Sequence, residues 1–256
     1  MTGTCALCHK NATLRKSHYI PAALYRVLHE DDDINSNKLL QNFSGKKFST
    51  ADKQLVCPLL CSNCENLFST NGEKEIAKSC LHKNSFPLRE QLQTFPISSQ
   101  QKEMVLFEPQ HFDIEKGCWL YFALSVFWRG SVTPWGHIKT YYHALGEYYQ
   151  EQIRQYLLTT DPTFLKNIII ILNVDLDSAP INFIEFPRHV KRGLDHFHVF
   201  YIPGIEIMMY IGHTAKELGF SKQNIIFAGH IFKKNRRYTS LVKYIKNFDI
   251  DSRISK

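Results

Sequence analysis

Two Cys-x-x-Cys pairs, Cys5/Cys8 and Cys61/Cys64, constrain this chain more than anything else in it. Two thiolates at that spacing chelate one ion from a tight turn. Two such turns complete a closed tetrahedral shell of four sulfurs, the donor set that suits structural zinc. The 52 residues between the pairs are more than a simple zinc ribbon needs, and leave room for the strands and helix of a treble clef. Six of the seven cysteines fall in the first third of the chain. The first residues show no basic stretch followed by an apolar one, so the expected location is the cytoplasm, where thiols stay reduced and bind metal rather than pair. Cys57, four residues before Cys61, is either a spare ligand or a buried thiol.

The periodicity predicts an α+β chain in three parts. Residues 1–85 form the zinc-binding domain, with a strand over Thr13 to Ser17, a helix over Ala22 to His29 entered at Pro21, and a loop or hairpin over Asn35 to Lys53. A second long element starts at Ser62, where Ser62 and Glu65 have the spacing of a capping box. Residues 86–111, with Pro87, Pro96 and Pro109 and a polar stretch, read as a connector. Residues 112–256 form an α+β domain of two long helices and a small sheet. Its first helix, Trp119 to Arg129, is apolar nearly all round and so is expected to be buried. Pro134-Trp135-Gly136 breaks it, and a second helix follows over His137 to Leu158 with its aromatic stripe turned to the core. Asn167 to Asn173 reads as a buried strand. His196 to Tyr201 and Ile205 to Ile211 read as a hairpin around Pro203-Gly204. No window has the ~18 apolar residues of a membrane span.

Ser17-His18-Tyr19-Ile20-Pro21, followed by Leu60-Cys61-Ser62-Asn63-Cys64-Glu65 and Asn71-Gly72-Glu73, resembles the zinc-stabilised HNH endonucleases over about 80 residues. The resemblance implies a ββα-metal site wrapped around a treble-clef zinc, with zinc structural at the four cysteines. It implies that His18 is the general base, and that Asn71, aided by Glu65 and Glu73 on the same helix, serves the site and its magnesium or manganese ion. Ser17 stands where that family carries a metal-binding aspartate. The activity implied is phosphodiester hydrolysis in nucleic acid, DNA favoured, in a bacterial defence setting.

A net charge of +7 favours phosphate-rich partners. The candidate contacts are Lys16, the group Arg188, Lys191 and Arg192, and the cluster Lys233, Lys234, Arg236 and Arg237 in a stretch expected to end as a basic helix or tail. Two alternatives stand beside the nuclease. One is a treble-clef module that binds nucleic acid or a protein partner without cutting. The other is an effector subunit whose second domain docks a larger complex.

Overall fold

The computed structural model describes residues 1–29, 39–43, 47–50, 54–81, 85–101, 104–107, 115–136, 139–177, 184–192, 195–217 and 224–230. The basic cluster at 233–237 and the expected terminal helix lie outside these residues, as does the acidic run at 31–33.

The fold is mixed α+β, with two sheets. The smaller holds three antiparallel strands, β1 (Thr2–Thr4), β2 (Asn11–His18) and, after two edge strands described below, β5 (Val56–Cys61), in the order β1-β2-β5. Helix α1 (Ala22–His29) leaves β2 through Pro21, as expected. From β5 the chain enters one continuous helical run: α2 (Ser62–Phe68), a π turn (Ser69–Glu73) and α3 (Lys74–Ser79). The capping box does not form. Cys61, not Ser62, is the N-cap residue, the Ser62 hydroxyl accepts from Arg15 Nε at 2.8 Å, and Glu65 accepts from Ser17.

The second sheet is not small. It has nine strands in the order β4-β3-β9-β10-β11-β8-β12-β7-β6. Its centre is β8 (Ile168–Asp175), β9 (Ile184–Arg192), β10 (Asp195–Ile202), β11 (Ile205–Ile211) and β12 (Ile225–His230). The hairpin around Pro203-Gly204 is present, with Ile202 opposite Ile205. One edge is the hairpin β3 (Leu39–Phe43) and β4 (Lys47–Thr50), which leaves the zinc-bearing third to pair in parallel with β9. The other edge is β6 (Ile97–Gln101) and β7 (Met104–Phe107), which follow a short helix α4 (Pro87–Leu92). The described part of the stretch 86–111 therefore contributes a helix and two edge strands to the fold. Its prolines hid this, though Pro87 merely starts α4, where a missing N–H costs nothing.

Helix α5 (Lys116–Val132) is buried continuously from Trp119 to Ser131, so its apolar surface is covered on all sides. Helix α6 (Gly146–Thr159) begins nine residues later than the periodicity suggested, because Thr140 to Leu145 are wound into turns. A short helix α7 (Gly212–Glu217) follows β11. No helix among the described residues is long and apolar enough to cross a membrane.

One continuous core runs from Cys5 and Leu7 through α5 to Ile205 and Phe227, so the zinc-bearing third and the rest share an interior. The seam is tight. Tyr19, just past β2, stacks on Trp135 (4.8 Å between ring centroids) and on Phe186 of β9 (5.1 Å). The Tyr19 ring lies over Gly130 of α5, where any Cβ would overlap its hydroxyl and approach Tyr141. Gly130→Ala should therefore destabilise the fold. Overpacking of about 1–3 kcal/mol outweighs the ~1 kcal/mol gained in helix propensity, and a urea titration reads the difference as a lower midpoint.

His198 on β10 is fully buried against Phe127, and its Nδ1 lies 2.7 Å from the Tyr141 hydroxyl. Burial, with His189 and His196 alongside, pushes its pKa down to about 3. The unfolded chain takes up this proton near pH ~6.5 while the folded one does not. Stability should therefore be full above pH ~6.5 and fall as the pH drops toward 3. His198→Phe should flatten that part of the pH–stability curve measured by thermal melting.

Candidate metal centre and the pocket beside it

The first Cys-x-x-Cys pair sits in the turn between β1 and β2. The Cys5 amide donates to the Lys10 carbonyl and the His9 amide to the Cys5 carbonyl, both at 2.9 Å, and His9 takes a left-handed backbone to close the turn. The second pair sits where β5 becomes α2. Pairing of β2 with β5, Leu14 opposite Cys61, and an Ala6 amide bond to the Leu59 carbonyl bring the two turns together. Arg154 of α6 adds a clamp, donating to the Leu7 carbonyl at 2.6 Å while held by Glu151 at 2.7 Å.

The result is a cluster in which the sulfurs of Cys5, Cys8, Cys61 and Cys64 all lie within 4.8 Å of one another. Cys8 and Cys61 are 3.9 Å apart. Zinc–sulfur bonds of ~2.3 Å separate tetrahedral sulfurs by about 3.8 Å. The four thiols thus fit one zinc ion and leave no position open for substrate. Cys57 is outside the cluster, half-buried, and burial beside Glu65 pushes its thiol up to about 11.

Burial also raises Cys5 and, further, Cys64. It disfavours the charged form of Cys61 too, but hydrogen bonds from the Cys64 amide and the neighbouring thiols outweigh it and bring that group down to about 7. Four thiolates cannot share this space without a cation.

Next to the cluster is a pocket of about 460 Å³. His18, the last residue of β2, lines it. So do Glu65, Ser69 and Glu73 from the α2–π–α3 run, Arg26 from α1, and Arg129 from α5. Lys74 and Lys78 stand at its rim, and Pro21, Ala22, Ala23 and Ala77 give it apolar walls. Ser17, where an aspartate stands in the HNH pattern, is fully buried and donates its hydroxyl to Glu65. The strand thus orients a carboxylate that the helix supplies. Glu73 is paired with Arg129 Nη1 at 3.0 Å.

Of the residues expected at the site, His18, Glu65 and Glu73 are brought together, and Asn71 is set apart. Asn71 bonds the side chain of Tyr121 on α5 and does not line the pocket. Helical spacing sets Glu65, Ser69 and Glu73 on one face and Asn71 with Phe68 on the face toward α5, and the π turn tightens the first alignment. Such a turn fits more residues into a turn than an α-helix does, holding back the helical rotation by roughly one residue. Glu73 thereby comes closer into line with Glu65 and Ser69, while Asn71 stays on the α5 side. Gly72 makes the arrangement fit, since a Cβ there would sit 3.1 Å from the Phe122 backbone nitrogen.

The fit to a second, catalytic ion is poor. Apart from the four cysteines, no three His, Cys, Asp or Glu side chains among the described residues bring ligand atoms together. Glu65 is engaged by Ser17 and Glu73 by Arg129. Arg129 is the residue that sequence reasoning missed. It lies 58 residues beyond Asn71, in a helix whose pattern signals only burial.

Of the basic candidates, Lys16 is exposed on β2. Arg188 on β9 is tied to Glu185 at 2.8 Å, and Lys191 is exposed further along that strand. Arg192 ends β9, with its side chain outside the description.

Set against protein-family models, curated proteins and solved structures, the chain matches none of them.

Cysteine ligands must lose their protons to bind. Metal affinity should therefore rise by about tenfold per pH unit for each proton displaced, and zinc binding should acidify a weakly buffered solution. Metal analysis should find one zinc per chain, lost in Cys61→Ser and retained in Cys57→Ser. Competition with a chromogenic chelator at pH 6 and pH 8 measures the affinity.

Proposed function

We propose that this chain is an HNH-like phosphodiester hydrolase acting on nucleic acid, DNA favoured, with zinc as its scaffold and the His18 pocket as its site. What supports the reading is one juxtaposition: the strand and the helix that carry the two cysteine pairs also carry His18, Glu65 and Glu73 into a single pocket with four cations. His18 is the general base. It takes a proton from water as that water attacks phosphorus, the bond from phosphorus to the leaving sugar oxygen breaks, and that oxygen takes a proton from solvent; imidazole is the side chain suited to such a transfer. Lys74, Lys78 and Arg26 draw the phosphate in and stabilise the charge that grows on its oxygens. Glu65, oriented by Ser17, is placed to hold the attacking water. Magnesium or manganese dependence is left to the assay, since the carboxylates present do not form a ligand set. A role in bacterial defence rests on the family resemblance alone.

A second reading is a zinc module that binds nucleic acid or a protein without cutting. The observation that favours it is that both carboxylates already have partners, Ser17 and Arg129.

The two readings part in one assay. The protein is incubated with plasmid DNA and with RNA, with and without magnesium or manganese, beside His18→Ala. The hydrolase should cut, and the substitution should cost about 10²–10⁴-fold in rate. Cutting that survives the substitution removes His18 as base. No cutting, with a gel shift retained, supports the binding module.

A further inference from the structure

Arg129 lies in a helix whose sequence pattern signals only burial, yet it lines the pocket. Its side chain is only 2% exposed. It is fixed from behind by its own helix, with Nε donating to the Ser125 carbonyl at 3.3 Å and Nη2 to the Ser125 hydroxyl at 3.1 Å. Its guanidinium lies 5.2 Å from the Phe68 ring, and the Trp135 indole donates to its carbonyl at 2.9 Å. Forward, a single nitrogen, Nη1, serves two elements of the pocket. It donates to the His18 carbonyl at 2.8 Å and pairs with Glu73 at 3.0 Å.

We infer that Arg129 is the positioning residue of this pocket, holding His18 and Glu73 in register so that the site is complete only with α5 in place. The inference rests on the hydrolase reading above. Most of the five N–H groups of the guanidinium are committed to the protein, so Arg129 orients the site rather than gripping substrate. Lysine cannot replace it, since an ammonium has no planar fork to span Ser125, His18 and Glu73. Misplacing a reacting group by about 1 Å costs on the order of 10²-fold in rate.

The test is steady-state cleavage of a fluorescent oligonucleotide by the full-length zinc protein, its Arg129→Lys and Arg129→Ala variants, and His18→Ala. In Arg129→Lys, kcat should fall about a hundredfold while KM stays within about threefold. Added guanidinium should recover at least a tenfold rise in kcat for Arg129→Ala and none for His18→Ala. If KM rises and kcat holds, Arg129 is a phosphate contact and the inference is wrong. It is also wrong if Arg129→Lys loses its zinc or its near-ultraviolet circular dichroism, which would mark a folding residue only. Wild-type kinetics in Arg129→Lys beside a dead His18→Ala overturn the inference but keep the hydrolase reading. A wild-type protein that does not cut overturns both.

Discussion

A helix that is apolar on every side must be covered on every side, and α5 imposes that condition on the whole molecule. One set of its side chains faces the nine-stranded sheet, where Phe122 and Phe127 meet Phe200 of β10 at 6.2 and 4.9 Å. Another faces the zinc-bearing third, where Tyr121 and Trp128 meet Phe68 of α2 edge-on at 5.8 and 6.1 Å. At its C-terminal end Gly130 admits the Tyr19 ring. Neither neighbour can leave without exposing several large aromatic surfaces, each worth about 1.5–3 kcal/mol of burial. The cysteine cluster is therefore part of the fold's interior, with Cys5 fully buried and Cys64 nearly so.

That arrangement changes what the metal has to do. A segment of this size buries a small core that would be marginal on its own. A zinc knuckle alone often supplies the missing stability by linking binding to folding. Here the cluster is held from two further directions, by Arg154 of α6 on the Leu7 carbonyl and by the packing of Phe68 on α5. The ion would set the local geometry of the turn after β1 and the start of α2. The larger core would hold those elements to the rest.

Much of this was legible in the sequence, for physical reasons that can be named. The cysteine pairs, α1 after Pro21, the apolar run of α5 and the Pro203-Gly204 hairpin all announce themselves through local chemistry. So does the option of a hairpin within Asn35 to Lys53, where β3 and β4 pair. The edge strands β6 and β7 do not, because β12, which pairs with β7, is far away in sequence. The capping box at Ser62 and Glu65 failed for a similar reason. Its spacing was right, but Arg15 and Ser17 across the sheet offered these side chains other partners. The π turn has no spacing signal at all, and it draws Glu73 closer into line with Glu65 and Ser69.

The charge balance of the pocket follows from the same long-range contacts. Arg129 is nearly inaccessible to water, and a buried guanidinium without a counter-charge costs several kcal/mol. Glu73 therefore serves the fold, by neutralising Arg129, before it can serve any chemistry. Glu65 is held differently, by the neutral hydroxyl of Ser17. The three remaining cations, Arg26, Lys74 and Lys78, stand toward solvent, and Lys78 shares its ammonium with Glu75 at 3.2 Å. The exposed rim of the pocket is therefore positive, while both of its carboxylates are committed to protein partners, Glu65 to Ser17 and Glu73 to Arg129.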